Sequence, residues 1–152
     1  MAGLIGYATW TTANINANTL TVMQLVAPPN QRLRILGYEV GFDGTNSANA
    51  PGTLVVERQA GGSFTNTSVP PKKVNDPSSV GEVLQAVSKN TQTGAPTSGD
   101  VLHVYPIPVF GGLVIYPLPP GQEDMVPGGT ILGLKVTTTA QVNCIGGVRY
   151  EE

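Results

Sequence analysis

The chain has 152 residues, with eight Lys plus Arg, ten Asp plus Glu, one His and one Cys, and only 12% of it is charged, about half the usual share. This is one domain's length, long enough to bury a core. A single cysteine excludes an intrachain disulfide framework and a Cys-rich zinc site, a single histidine excludes a two-His metal site within one chain, and a formal net charge of −2 gives no electrostatic footprint for nucleic acid.

Met1 to Gln31 carries no charged side chain. The positive n-region of a signal peptide is missing. Thr11, Thr12, Asn14, Asn16, Asn18, Thr19 and Thr21 leave no run of about 20 apolar residues to cross a membrane. Gly3, Gly6 and the alternating asparagines disfavour a helix. Residues 1–18 are therefore predicted to form an extended N-terminal arm, and 19–152 a single β-sandwich domain. Leu4, Ile5, Tyr7 and Trp10, the only tryptophan, would be exposed on a free arm. The arm is expected to fold back on its own domain or to pack on a neighbour, and these four side chains are candidate interface residues.

Leu20–Ala27 has the pattern of a strand with both faces partly covered, ended by Pro28-Pro29-Asn30. Arg32–Asp43 is the next strand. Leu33 and Ile35 are odd-numbered, whereas Tyr38, Val40 and Phe42 are even-numbered, so the period-2 phase shifts across Leu36-Gly37. One inserted residue, a β-bulge at or near Gly37, would restore a single inward face. Asp43-Gly44 opens a polar turn or loop through Gly52. Thr53–Gln59 is a short strand with Leu54 and Val56 facing together. Residues 60–100 are rich in Pro and Gly and give no clear periodicity; the reading is irregular structure with a short strand from about Leu84.

Val101–Ile107, Leu113–Leu118, Thr130–Thr138 and Gln141–Glu151 all have strand character. In the last, Val142, Cys144, Val148 and Tyr150 share a face and are the candidate core residues, with Asn143 and Arg149 opposite. That is the half-buried alternation of an antiparallel sheet. About eight short strands, no strong helix and turns at sandwich-like spacing predict an all-β fold, an antiparallel β-sandwich of jelly-roll type. An immunoglobulin-like sandwich is the alternative, without the Cys–Trp–Cys pattern of antibody-type domains.

The residues for catalysis are sparse. His103 is the only histidine base, on a strand face opposite Leu102 and Val104, and no G-x-S-x-G elbow accompanies it. Cys144 alternates with core valines and is expected to be a buried hydrophobe. Glu123-Asp124 sits at a polar loop tip, where adjacent acids are usually just solvated, Glu151-Glu152 holds the last two positions, and nothing in the sequence brings Asp43 to Asp76 or Asp100 as a glycosidase pair. No D-x-D-x-D-G loop supports calcium. Gly61-Gly62, Gly111-Gly112 and Gly128-Gly129 read as turns; none of the Gly-Gly pairs opens a G-K-[ST] sequence. Gly146-Gly147 lies inside a strand and predicts a bulge or a close backbone approach. Tyr7, Trp10, Tyr105, Tyr116 and Tyr150 could stack on a sugar, though they do not cluster in one loop. The expectation is a non-enzyme without cofactor or metal.

Three segments carry a family resemblance. Arg32-Leu-Arg-Ile-Leu-Gly-Tyr-Glu-Val-Gly-Phe-Asp-Gly-Thr45 is the first. Tyr116-Pro-Leu118 followed by Gly129-Thr-Ile-Leu-Gly-Leu-Lys-Val-Thr137 is the second. Ala140-Gln-Val-Asn-Cys144 with Arg149-Tyr-Glu-Glu152 is the third. Together they resemble small tailed-phage virion proteins of the capsid decoration (cement) type, over about Gln31 to Glu152. The resemblance implies a compact β-barrel or sandwich and no catalysis. It further implies a trimeric structural virion protein that binds the exterior of an assembled phage capsid and stabilises it, with the major capsid protein as partner, Leu4, Ile5, Tyr7 and Trp10 as capsid or subunit interface residues, and neither nucleic acid nor membrane. The alternative function is a carbohydrate- or receptor-binding β-sandwich module of a virion fibre or tail.

Overall fold

The computed structural model describes residues 3–16, 19–42, 51–60, 65–74, 84–93, 96–109 and 112–152. Among these there are twelve strands and no helix: β1 (Ile5–Asn16), β2 (Thr19–Val26), β3 (Leu33–Phe42), β4 (Gly52–Ala60), β5 (Thr65–Val69), β6 (Lys72–Lys73), β7 (Val87–Thr93), β8 (Thr97–Ile107), β9 (Gly112–Pro117), β10 (Asp124–Val126), β11 (Ile131–Thr137) and β12 (Gln141–Glu151). They form two six-stranded antiparallel sheets. Sheet A runs β10-β3-β12-β1-β6, with β9 also on β3; sheet B runs β5-β7-β2-β11-β4-β8. The fold is a β-sandwich. Its pairings nest: β1 with β12, β2 with β11, β3 with β10 and β9, β4 with β8.

The inner faces follow from the alternation. In β3, Leu33 and Ile35 point inward, and so do Tyr38, Val40 and Phe42; all five are buried. Opposite them on β12, Gly37 pairs with Arg149 and Ile35 with Tyr150, so Leu36 is the inserted residue of a bulge. Val142, Cys144, Val148 and Tyr150 are buried on the same layer. Sheet B contributes Met23, Leu25, Leu54, Val56, Leu132, Leu134 and Val136, all buried. Fully burying a side chain of this size contributes about 1.5–3 kcal/mol before ordering entropy is subtracted.

The expected arm over 1–18 requires correction. Ile5–Asn16 is an interior strand of sheet A, paired with β12 on one side and with Lys72–Lys73 on the other. Ala8, Trp10 and Ile15 are buried in the core. The physical reason is that β12 has two sides to satisfy, and β1 supplies hydrogen bonds for the one that β3 leaves open. The count of about eight strands is also low. The nested pairs occupy eight lanes, because β9 and β10 share one side of β3, and β5, β6 and β7 come from the segment read as irregular. The strand expected from about Leu84 begins at Val87. The Asp43-Gly44 turn, Gly61-Gly62, Gly111 and residues 75–83 lie outside the described residues.

Candidate interaction surface

The outer face of sheet A is built by the residues that the core alternation turns away. Along β12 these are Ile145, Gly147 and Arg149; along β3, Gly37, Glu39 and Gly41; along β9, Leu113 and Ile115; along β1, Ile5, Tyr7 and Thr9. The registers align them: Glu39 lies between Gly147 and Ile115, Gly41 between Ile145 and Leu113, and Tyr7 beside Arg149.

At the centre is a polar group of three. The Tyr7 hydroxyl donates to Glu39 Oε2 at 2.8 Å, and Arg149 Nε is 3.2 Å from Glu39 Oε1. The Arg149 guanidinium sits 5.7 Å from the Tyr7 ring centroid, within cation–π range. Burial, then the hydrogen bond to Glu39, pushes the Tyr7 phenol up to about 12. Tyr7 is therefore a fixed, neutral donor.

Exposed Lys72 borders this group on the β6 side, opposite Tyr7; elsewhere around it the surface is apolar. Leu113 is 60% exposed, Ile115 55%, Ile145 51% and Val74 51%. Between Val74 and Ile115 is a hollow of about 370 Å³ lined also by Ile5, Leu36 and Pro117, with the Glu39–Arg149 pair at its side. Exposed large apolar side chains gathered on one sheet face are the kind of patch that interaction sites present. A ringed Tyr and Arg are the residue types that anchor such interfaces.

Gly146-Gly147 lets both layers close on β12. A Cβ at Gly146 would collide with the Glu39 carbonyl and the Trp10 ring on the core side, and one at Gly147 would lie 2.7 Å from the Tyr7 ring on the outer side. The pair is a close approach with its register against β3 unbroken, and against β1 the register shifts directly beyond Gly146, between Trp10 and Ala13.

Of the four candidate interface residues, the structure brings Ile5 and Tyr7 to this face. Leu4 is half-buried, its backbone exchanging hydrogen bonds with Glu152. Trp10 is buried in the core, so its role as an interface residue is corrected. Leu113, Ile115, Ile145, Val74 and Glu39 were not singled out in the sequence. The available signal was Leu113 alternating with Ile115.

Two other polar clusters bear on chemistry. On the side where β8 meets sheet A, His103 Nε2 lies 2.9 and 2.8 Å from the two Asp124 carboxylate oxygens. The Tyr38 hydroxyl donates to Asp124 Oδ2 at 2.6 Å. Burial, reinforced by Asp124, holds the Tyr38 phenol well above its ordinary range. The His103 ring stacks on Tyr105, and Tyr105 on Tyr116 with centroids 4.1 Å apart. These contacts tie the two sheets together. A His–Asp pair needs a nucleophile to act on, and the hydroxyl in reach, Tyr38, is buried and already bound.

On the outer side of sheet B, the fully buried Glu57 carboxylate accepts from Lys135 Nζ at 2.9 Å, Gln59 Nε2 at 2.8 Å and Ser98 Oγ at 3.0 Å. Burial raises the Glu57 pKa, but these three donors outweigh it and the net shift is downward. Ser98 is also 3.1 Å from Lys135 Nζ. A Ser–Lys dyad needs an amine free to take the serine proton, and here Lys135 Nζ is engaged by the Glu57 carboxylate. Cys144 is buried, and burial, slightly opposed by Trp10, pushes its thiol up to about 12. Among the described residues no group of three His, Cys, Asp or Glu side chains is placed to hold a metal ion. No family model, curated protein or solved structure matches this chain.

Proposed function

We propose that this chain is a structural virion protein rather than an enzyme: it binds the exterior of an assembled phage capsid, contacts the major capsid protein and stabilises the shell, acting as a homo-oligomer. The observation that carries the reading is the outer face of sheet A, where exposed Leu113, Ile115, Ile145 and Val74 surround the Tyr7–Glu39–Arg149 group. Its chemistry suits a largely apolar, neutral-polar contact. The nested strand pairing favours a jelly-roll assignment within the sandwich class, an architecture that recurs in viral capsid domains. The resemblance of Arg32–Thr45 and of the last third to decoration proteins points the same way. A protein that binds the assembled shell and not its separated subunits stabilises the shell by mass action.

The carbohydrate- or receptor-binding alternative has less support. Tyr105 and Tyr116 stack on each other, and Trp10 and Tyr150 are buried, which leaves few rings free to receive a sugar. The test is co-sedimentation with assembled shells. Wild type should pellet with shells and raise their disruption temperature. Leu113→Asp and Ile115→Asp, both at exposed positions, should fold normally and lose retention at least tenfold. Undiminished retention of both variants would remove this face from the function.

A further inference from the structure

Sheet B ends in β8, which pairs with β4 on one side. Among the described residues no strand pairs with its other side. Eleven residues make this a long edge without a partner strand among the described residues, and such edges are templates for another strand unless charge, proline or a bulge blunts them; here Pro106 blunts only the end beyond Tyr105. Charge is confined to one end of the stretch: Asp100, 81% exposed, lies 3.6 Å from Arg58, and His103 is held by Asp124. What the edge presents instead is Val101 and Val104, 55% and 58% exposed.

The placement of these two valines depends on a bulge. Val104 pairs with Val55, His103 with Val56, and Val101 with Glu57. Leu102 is therefore the inserted residue, and it packs against the core. Without the insertion, positions 101 and 104 would lie on opposite faces. With it, both share the outer face with Val55 and Glu57. The ladder alternation then sets the backbone. Pro106, opposite Thr53, has no N–H to give, and its carbonyl accepts from the Tyr116 hydroxyl. Counting back, Tyr105 and His103 direct their backbone groups to β4, while Val104 and Val101 direct theirs to the open side.

We propose that this edge pairs with the same edge of a second copy, antiparallel, about a two-fold axis between Leu102 and His103. That register places Val104 opposite Val101 of the second copy and Val101 opposite its Val104. The residues with open backbone groups meet each other, and the four exposed valines form one apolar cluster on the outer face. Leu102 meets His103 on the inner side. A two-fold contact requires a self-complementary patch, and the bulge makes 101–104 self-complementary. This favours a second copy over an unrelated strand. The proposal does not rest on the shell-binding reading, since it concerns the outer edge of sheet B in the protein alone.

The test uses the purified full chain without shells. Sedimentation equilibrium should show a concentration-dependent dimer. Val104→Lys and Val101→Lys, at exposed positions, should raise the dimer dissociation constant at least tenfold with unchanged circular dichroism and melting temperature. Asn30→Lys, in an exposed turn, adds the same charge and should leave the dimer intact. Under oxidation, a mixture of Val101→Cys and Val104→Cys chains should form a disulfide-linked dimer, and neither alone should do so efficiently. A monomer at all concentrations, equal weakening by Asn30→Lys, or crosslinking of Val101→Cys with itself would overturn the proposal.

Discussion

The Gly146-Gly147 step shows how a single residue position can serve two layers at once. Adding a methyl at 146 drives it into the Glu39 carbonyl and the Trp10 ring, neither of which has room to yield in a packed core. Gly146→Ala should therefore destabilise by about 3 kcal/mol, at the upper end for overpacking. Gly121→Ala is the contrast: its φ is +86° but nothing lies within 4 Å of the added carbon, so the cost should be about 1 kcal/mol from backbone strain. Denaturant midpoints of the two variants check the order. Glu57 gives a second prediction at this scale. Its carboxylate has a lowered pKa in the folded chain, against an ordinary value of 4.5. The sign follows from linkage: the stabilisation is full above the unfolded value and is lost as pH falls below it through the folded value. Glu57→Gln should cost about 3 kcal/mol at pH 7, as breaking a buried pair does. The gap between wild type and variant should narrow below pH 4.5. A gap that stays constant down to pH 3 would mean that the ion pair contributes nothing.

Among the elements, β1 and β12 depend on one another. β12 is paired along both sides, by β3 and by β1. Removing residues 2–12 would expose half of its backbone groups and empty the Trp10 site, so this truncation should unfold the domain rather than trim an arm. Loss of the cooperative melting transition is the readout. On β12 itself, Val148→Asp would bury an uncompensated charge between Ala8 and Tyr38 and should unfold the chain, whereas Arg149→Ala, on the outer face, should leave it folded. β3 and β12 were legible in the sequence because each carries a strict alternation, and in β3 the single phase slip was itself visible at Leu36-Gly37. β1 was not legible for a related reason. Its register shifts between Trp10 and Ala13, so Ala8 and Trp10 point inward at even positions and Ile15 at an odd one. With small polar residues filling the rest, that broken phase looks like no strand at all. β5, β6 and β7 have almost no apolar alternation, since they extend sheets by backbone pairing. The outer face of sheet A was legible only in part. Leu113 and Ile115 announce a strand, but which side of it stays open depends on β3, about 75 residues away in sequence.

Over the whole molecule, the low charge count acquires a consequence from where the charges go. Arg34 bridges Glu123 and Glu151, Arg58 faces Asp100, Lys135 holds Glu57, and Arg149 holds Glu39. At least half of the eight Lys and Arg thus face acidic side chains of the same chain, while the outer face of sheet A exposes large apolar side chains. Long-range attraction between exposed charges is screened within about 8 Å at physiological salt, so an interface built on charge pairs weakens as salt rises. Burial of apolar surface does not weaken that way, and excluded salts such as sulfate strengthen it. If the outer face of sheet A is the shell contact, retention on shells should change less than about threefold between 50 and 500 mM NaCl, a span over which charge-built contacts are heavily screened. Ammonium sulfate at the same ionic strength should tighten it. A steep loss of retention with NaCl would assign the contact to charged side chains instead of the Leu113–Ile115 face.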